Sequence, residues 1–150
     1  MRSSWRSPTL TLVVLLWTGV LFGVSFLATP AKFQAPSLSL AVAVDVGRAT
    51  FHLLNRVEMF FAVLAAVLAA GGGCKRLAQI GVAIAAVLTA LETFWLLPAL
   101  DERAELVIAG LGVEPSRLHD VYIGLDLTKL AVLLMAGVVL IAPKREEEDS

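Results

Sequence analysis

The chain has 150 residues, one domain's worth, of which 58% are hydrophobic and 17% charged, with a mean hydropathy of +0.83. Soluble domains average roughly 45–50% and about 25%, so the composition is that of a membrane protein. A net charge of −1 excludes the broad basic footprint of a nucleic-acid binder, and Cys74 as the single cysteine excludes an intrachain disulfide or a cysteine-rich metal site.

In chain order, four apolar stretches predict four membrane spans, at about 9–29, 51–70, 77–97 and 118–142. The first, Thr9 to Thr29, is uncharged. Arg2 and Arg6 precede it as in a signal peptide, but its apolar run is longer than the roughly 7–15 residues of a signal core. The candidate cleavage stretch also carries Pro30, so a retained span is expected. The second stops at Gly71-Gly72-Gly73, the third meets Pro98 and the fourth ends at Pro143, each an expected helix breaker. Gly19 and Gly23 form a small-xxx-small pair on the first span.

The short link from Gly71 to Arg76 makes the second and third helices antiparallel neighbours. The other two connections are long. Residues 36–50 are apolar but broken by Asp45 and Arg48, which suits a short interfacial helix or an extension of the second span. Residues 98–110 read as a short amphipathic helix with Pro98 in its first turn. Lysine and arginine placement favours both termini on the cytoplasmic side. That topology puts Arg2, Arg6, Lys75, Arg76, Lys144 and Arg145 inside, against Lys32, Arg48, Arg103 and Arg117 outside. The closing stretch, Lys144 to Ser150, reads as a solvated end. The expected fold is an all-α, integral membrane four-helix bundle, multi-pass in a bacterial-type inner membrane.

Charged and polar residues gather in one half of the predicted bundle. His52, Asn55, Arg56 and Glu58 begin the second helix, Glu92 lies near the end of the third, and His119, Tyr122, Asp126 and Lys129 open the fourth. At about 100° per residue the last four fall within an arc of about 80°. His52, Asn55, Arg56 and Met59 are expected to share a face, with Glu58 beside Asn55. Glu58 lies about 10 Å inside its span and Glu92 about 7 Å before the end of its own. Each ionisable group at such depth costs about 2.5–3.5 kcal/mol on insertion scales, so a mutually compensating set is expected. Trp95 and Tyr122 suit an interfacial aromatic belt, and Trp17 is expected to pack in mid-span.

Several readings of this set compete. A structural subunit would use the ion pairs only to fix helix register. Ligation would place His52 and His119 as ligands of a haem iron, or of copper or zinc with a carboxylate. Glu58, Glu92 and Asp126 would then be acceptors behind them or an additional ligand, and Arg56 or Lys129 would balance charge. Transport would use the same groups as a proton or cation path, although the other half of the bundle is almost purely apolar. An intramembrane enzyme with His119 or Glu58 as acid or base ranks last, since no Ser-His or metalloprotease spacing is present.

The runs Phe51 to Phe61, Leu91 to Gly110 and Ser116 to Leu130 resemble the small four-span membrane family of unknown function that includes transmembrane protein 205. The most telling pieces are Leu97 to Asp101, Gly110, and the His119, Tyr122 and Lys129 series. The resemblance covers most of the chain after Pro30 and implies a four-helix membrane bundle with polar residues on the second and fourth helices. A more distant likeness to copper-handling and haem-linked membrane families implies histidine on membrane helices, which puts ligation ahead of transport. The expectation is therefore a membrane protein binding a small ligand or cofactor, haem or a copper-like metal, at the polar cluster. A transporter component is the alternative. The lipid bilayer is its expected environment, and a homo-oligomer or a membrane-complex partner is left open.

Overall fold

The computed structural model describes residues 6–111 and 114–143; the expected solvated end at 144–150 lies outside the described residues. Its helices are α1 (Arg6–Leu21), α2 (Thr29–Lys32), α3 (Leu40–Ala70), α4 (Arg76–Leu91), α5 (Leu97–Ile108) and α6 (Leu118–Ile141). A π-helical segment, Phe22–Ala28, joins α1 to α2, and a second, Glu92–Leu96, joins α4 to α5. The result is an all-α four-helix bundle in which four continuous helices are long and apolar enough to cross a membrane: Ser7–Lys32, Leu40–Ala70, Arg76–Ile108 and Leu118–Ile141. Helix is the form that lets an apolar segment satisfy its own backbone without water.

Both π segments end two residues before a proline, Pro30 and Pro98. A proline ring clashes with the carbonyl four residues back and brings no N–H. Widening the preceding turn relieves that clash without ending the helix. Thr29 N–H accordingly reaches Val24 O, and Leu97 N–H reaches Glu92 O, both five residues back. Pro98 therefore does not terminate the third span. The amphipathic stretch 97–108 continues it, and residues 40–50 are likewise one helix with the second span, started by Ser39, whose hydroxyl accepts from Val42 N–H at 3.4 Å. At about 1.5 Å per residue these two helices, of 31 and 33 residues, outrun a hydrocarbon core of about 30 Å. Their extensions stand over the end of the bundle opposite both described termini.

The helices pack as a ring in which α1 touches α3 and α6, and α4 touches the same two. The core holds Leu10, Val14, Trp17 and Leu21 of α1 against Ala62, Ala65 and Leu68 of α3, Val82 and Ala85 of α4, and Leu133 and Ala136 of α6. The alanines let the backbones approach closely, as packing between membrane helices requires. Gly81 does the same: a Cβ there would lie 3.1 Å from Ala136 Cβ. A Cβ at Gly19 or Gly23, the pair singled out in the sequence, would meet nothing within 4 Å among the described residues, so no close helix approach is made there. The outward face is as apolar as the core, with Leu12, Leu16, Phe60, Val63, Val67 and Val138 all exposed. Such a surface is suited to lipid. The tight turn after α3 runs through Gly72 and Gly73 at φ of 76° and 93°. Lys75 Nζ ties this turn to the end of α6 by donating to the carbonyls of Ala142 and Pro143 at 2.9 and 3.2 Å.

Candidate functional site

Each of the four spans sends a polar group to the axis of the bundle. Lys129 of α6 lies at the centre and is fully buried. Its ammonium donates to Glu58 Oε2 of α3 at 2.9 Å and to Glu92 Oε2 of the π segment, and lies 3.1 Å from Asp126 Oδ1 one turn earlier on its own helix. The last is an ion-pair contact out of line for a hydrogen bond, and Asp126 Oδ1 has no hydrogen-bond partner. Trp17 supplies α1's contribution, donating its indole N–H to Glu58 Oε1 at 2.9 Å. Glu58, Glu92 and Lys129 have no exposed surface, and Asp126 is 1% exposed.

Charge balance is the main electrostatic feature. Three carboxylates face one ammonium, so with every group ionised the cluster holds two negative charges in excess. Their nearest oxygens lie within 4.8 Å of one another, a spacing that suits a cation. Lys129 occupies the position such a cation would need, so metal ligation at these carboxylates requires the ammonium to leave. A second layer surrounds the charges. Thr93 Oγ1 lies 2.7 Å from the Thr89 carbonyl oxygen and 3.1 Å from Asn55 Oδ1, while among the described residues Asn55 Nδ2 and Glu92 Oε1 are buried with no hydrogen-bond partner. Glu92 continues the buried face of α4 that carries Val82, Ala85 and Thr89, and the π turn that begins at Glu92 leads to the buried pair Leu96 and Leu97.

Toward the end opposite the termini, Tyr122 sits one helical turn from Asp126, packed edge-on against Phe51 with ring centroids 5.0 Å apart. Tyr122 also forms part of the wall of a cavity of about 400 Å³. The ends of all four spans enclose it: Thr29, Lys32 and Phe33 from the first, Gly47, Arg48 and Phe51 from α3, Leu97, Leu100 and Asp101 from α5, and His119 from α6. Ion pairs and hydrogen bonds line its rim. Arg48 joins Asp45 at 3.3 Å and Glu105 at 3.4 Å, Arg103 donates to the carbonyl of Glu114, and His52 Nε2 pairs with Asp101 Oδ2 at 2.7 Å.

Of the residues singled out in the sequence, Glu58, Glu92, Asp126 and Lys129 meet directly, with Asn55 and Tyr122 buried beside them. His119 lines the cavity, and His52 pairs one ring nitrogen with Asp101, another residue of that wall. Arg56 is exposed on the apolar stripe of Leu53, Phe60 and Val63, away from the carboxylates it was expected to balance. Its helix phase explains this, since Arg56 lies about 100° from Asn55 on the flank opposite Glu58. Sequence reasoning missed Trp17 and Lys32. An indole N–H in mid-span needs an acceptor in hydrocarbon, which is the signal that points to the first. The second depends on tertiary packing alone. Comparison of the chain with family models, with curated proteins and with solved structures finds no match.

Proposed function

We propose that this integral membrane protein binds a small, mainly apolar ligand in the cavity at the end opposite its termini, with the carboxylate–ammonium cluster as the rigid polar floor beneath it. The observation that carries this reading is the cavity's position and lining. A volume of about 400 Å³ falls among small-molecule pockets. Its apolar wall, built from Phe51, Leu97, Leu100 and Tyr122, is bordered by the contacts of Arg48 with Asp45 and Glu105 and of His52 with Asp101. The fastened cluster below supplies what a loose apolar bundle lacks, a fixed arrangement of the helices that form that wall. Kinship with the small four-span family is likewise a proposal, supported by Leu97, Leu100, Asp101, His119 and Tyr122 standing together in this wall.

The test uses Ala104→Trp, which fills the cavity from α5 without touching the cluster. Native mass spectrometry of the protein released from mild detergent should show co-purifying small molecules on the wild type and not on the variant. Identical spectra from the two, with or without adducts, would reject the reading.

Proton-coupled transport is a second reading, favoured by the charge balance. Protons or a cation must make up the two excess negative charges in a sealed, water-poor site. Flux into proteoliposomes should fall in Glu58→Gln and in Asp126→Asn; unchanged flux in both would remove it.

A further inference from the structure

Among the described residues, Lys32 is the cation in the cavity wall with neither a carboxylate nor a hydrogen-bond acceptor as partner. Arg48 has Asp45 and Glu105, and Arg103 has the carbonyl of Glu114. Lys32 Nζ, half-buried at the end of the first span, faces only aromatic rings, 5.0 Å from the centroid of Phe33 and 5.8 Å from that of Phe51. Both distances fall in the range of cation–π attraction, which offsets part of the cost of burial but leaves the ammonium's donors without acceptors. The ammonium rests against Gly47 of α3, and a Cβ there would overlap it. A buried face of α3 thus carries glycine at the point where the ammonium needs room.

From this geometry we infer that the cavity's ligand is a single-chain amphiphile with a monoanionic carboxylate head, the head on Lys32 and the chain along Phe51, Leu97 and Leu100. This rests on the ligand-binding reading above and names the ligand class. An ammonium that faces aromatic rings alone is matched by a carboxylate, which supplies the charge and the acceptors its donors lack. About 400 Å³ suits one hydrocarbon chain rather than the two of a phospholipid. Lys32 also ends its helix, the end at which a cation is favoured by the helix dipole.

The experiment measures electron paramagnetic resonance of spin-labelled stearic acid, and of its methyl ester, in phosphatidylcholine bilayers holding the purified protein. The acid should show a motionally restricted population with an affinity about ten-fold or more above the ester's. Lys32→Met should bring the acid down to the level of the ester. Gly47→Ala should do the same in a folded protein, because the added methyl displaces only the flexible end of Lys32. Ala104→Trp should abolish restriction of both probes. Equal restriction of acid and ester, lost in Ala104→Trp, would overturn the carboxylate assignment and leave the binding cavity standing. Restriction of neither probe, or restriction unaffected by Ala104→Trp, would overturn both. Equal Lys32-dependent restriction of spin-labelled phosphatidylglycerol would overturn the single-chain assignment.

Discussion

Trp17 and Glu58, 41 residues apart in the chain, meet at 2.9 Å through an indole N–H and a carboxylate oxygen, both side chains having no exposed surface. This bond joins α1, the span without a charged residue in its apolar run, to the charged axis that the other three build. Trp17 also stacks on Phe61 with centroids 6.5 Å apart, so its ring is held by packing as well as by the bond. Trp17→Phe keeps most of the packing and removes the donor. A hydrogen bond to a charged group is worth about 1.5–3 kcal/mol, and a loss of that size is expected in reversible unfolding from mixed micelles. A double-mutant cycle with Glu58→Gln should show coupling on the order of 1 kcal/mol or more. Additive effects would mean that the ring matters only as filling.

Removing Lys129 should cost far more. Lys129→Met leaves Glu58, Glu92 and Asp126 around an apolar side chain. Breaking a buried pair by deleting one partner costs about 3–5 kcal/mol, because uncompensated charge stays behind. The same substitution combined with Glu58→Gln, Glu92→Gln and Asp126→Asn should recover most of that loss, since no charge is then stranded. Both variants are compared by unfolding in the same micelles. If Lys129→Met unfolds as the wild type does, the cluster is not what fastens the helices.

The rim pairs belong to a different regime. Arg48 is 32% exposed, and its partners Asp45 and Glu105 are 58% and 71% exposed. Solvent screens such pairs, and exposed ion pairs contribute about 0–1 kcal/mol. Arg48→Gln should therefore change bundle stability by less than about 1 kcal/mol, and the difference should shrink further in high salt. A drop as large as that of Lys129→Met would show that α5 depends on the rim pair to stay seated on α3.

Much of this was legible in the sequence, for identifiable reasons. Long apolar runs specify membrane helices because hydrocarbon leaves the backbone no alternative. The depth and phase of Glu58, Glu92, Asp126 and Lys129 were enough to bring them together, since charges so deep have only one another. Arg56 defeated the same reasoning. It lies two residues from Glu58, and small errors in the centre of the buried face decide on which side of a helix such a neighbour falls. The meeting of Lys32 with Gly47, Phe33 and Phe51 was illegible because it is made by two helix extensions folding over the bundle end. Periodicity within one helix carries no record of that. The run through Pro98 was hidden for a related reason, because a π turn lets a proline sit where the sequence alone suggests a stop.

Glycine positions offer a last discrimination between packing faces. Gly81 of α4 would place a Cβ 3.1 Å from Ala136 Cβ and 3.5 Å from the Val132 carbonyl, whereas a Cβ at Gly19 meets nothing within 4 Å. Gly81→Leu must push α4 away from α6, an overpacking that costs about 1–3 kcal/mol. Because both helices carry parts of the cluster, that displacement should also lengthen the Lys129–Glu92 contact and weaken its share of the stability. Gly19→Leu adds an apolar side chain on a face already apolar, and its effect should stay within about 0.5 kcal/mol. Unfolding of the two variants in mixed micelles checks the contrast. A costly Gly19→Leu paired with a silent Gly81→Leu would mean that α1, not α4, makes the close approach, and would reverse the order of packing around the ring.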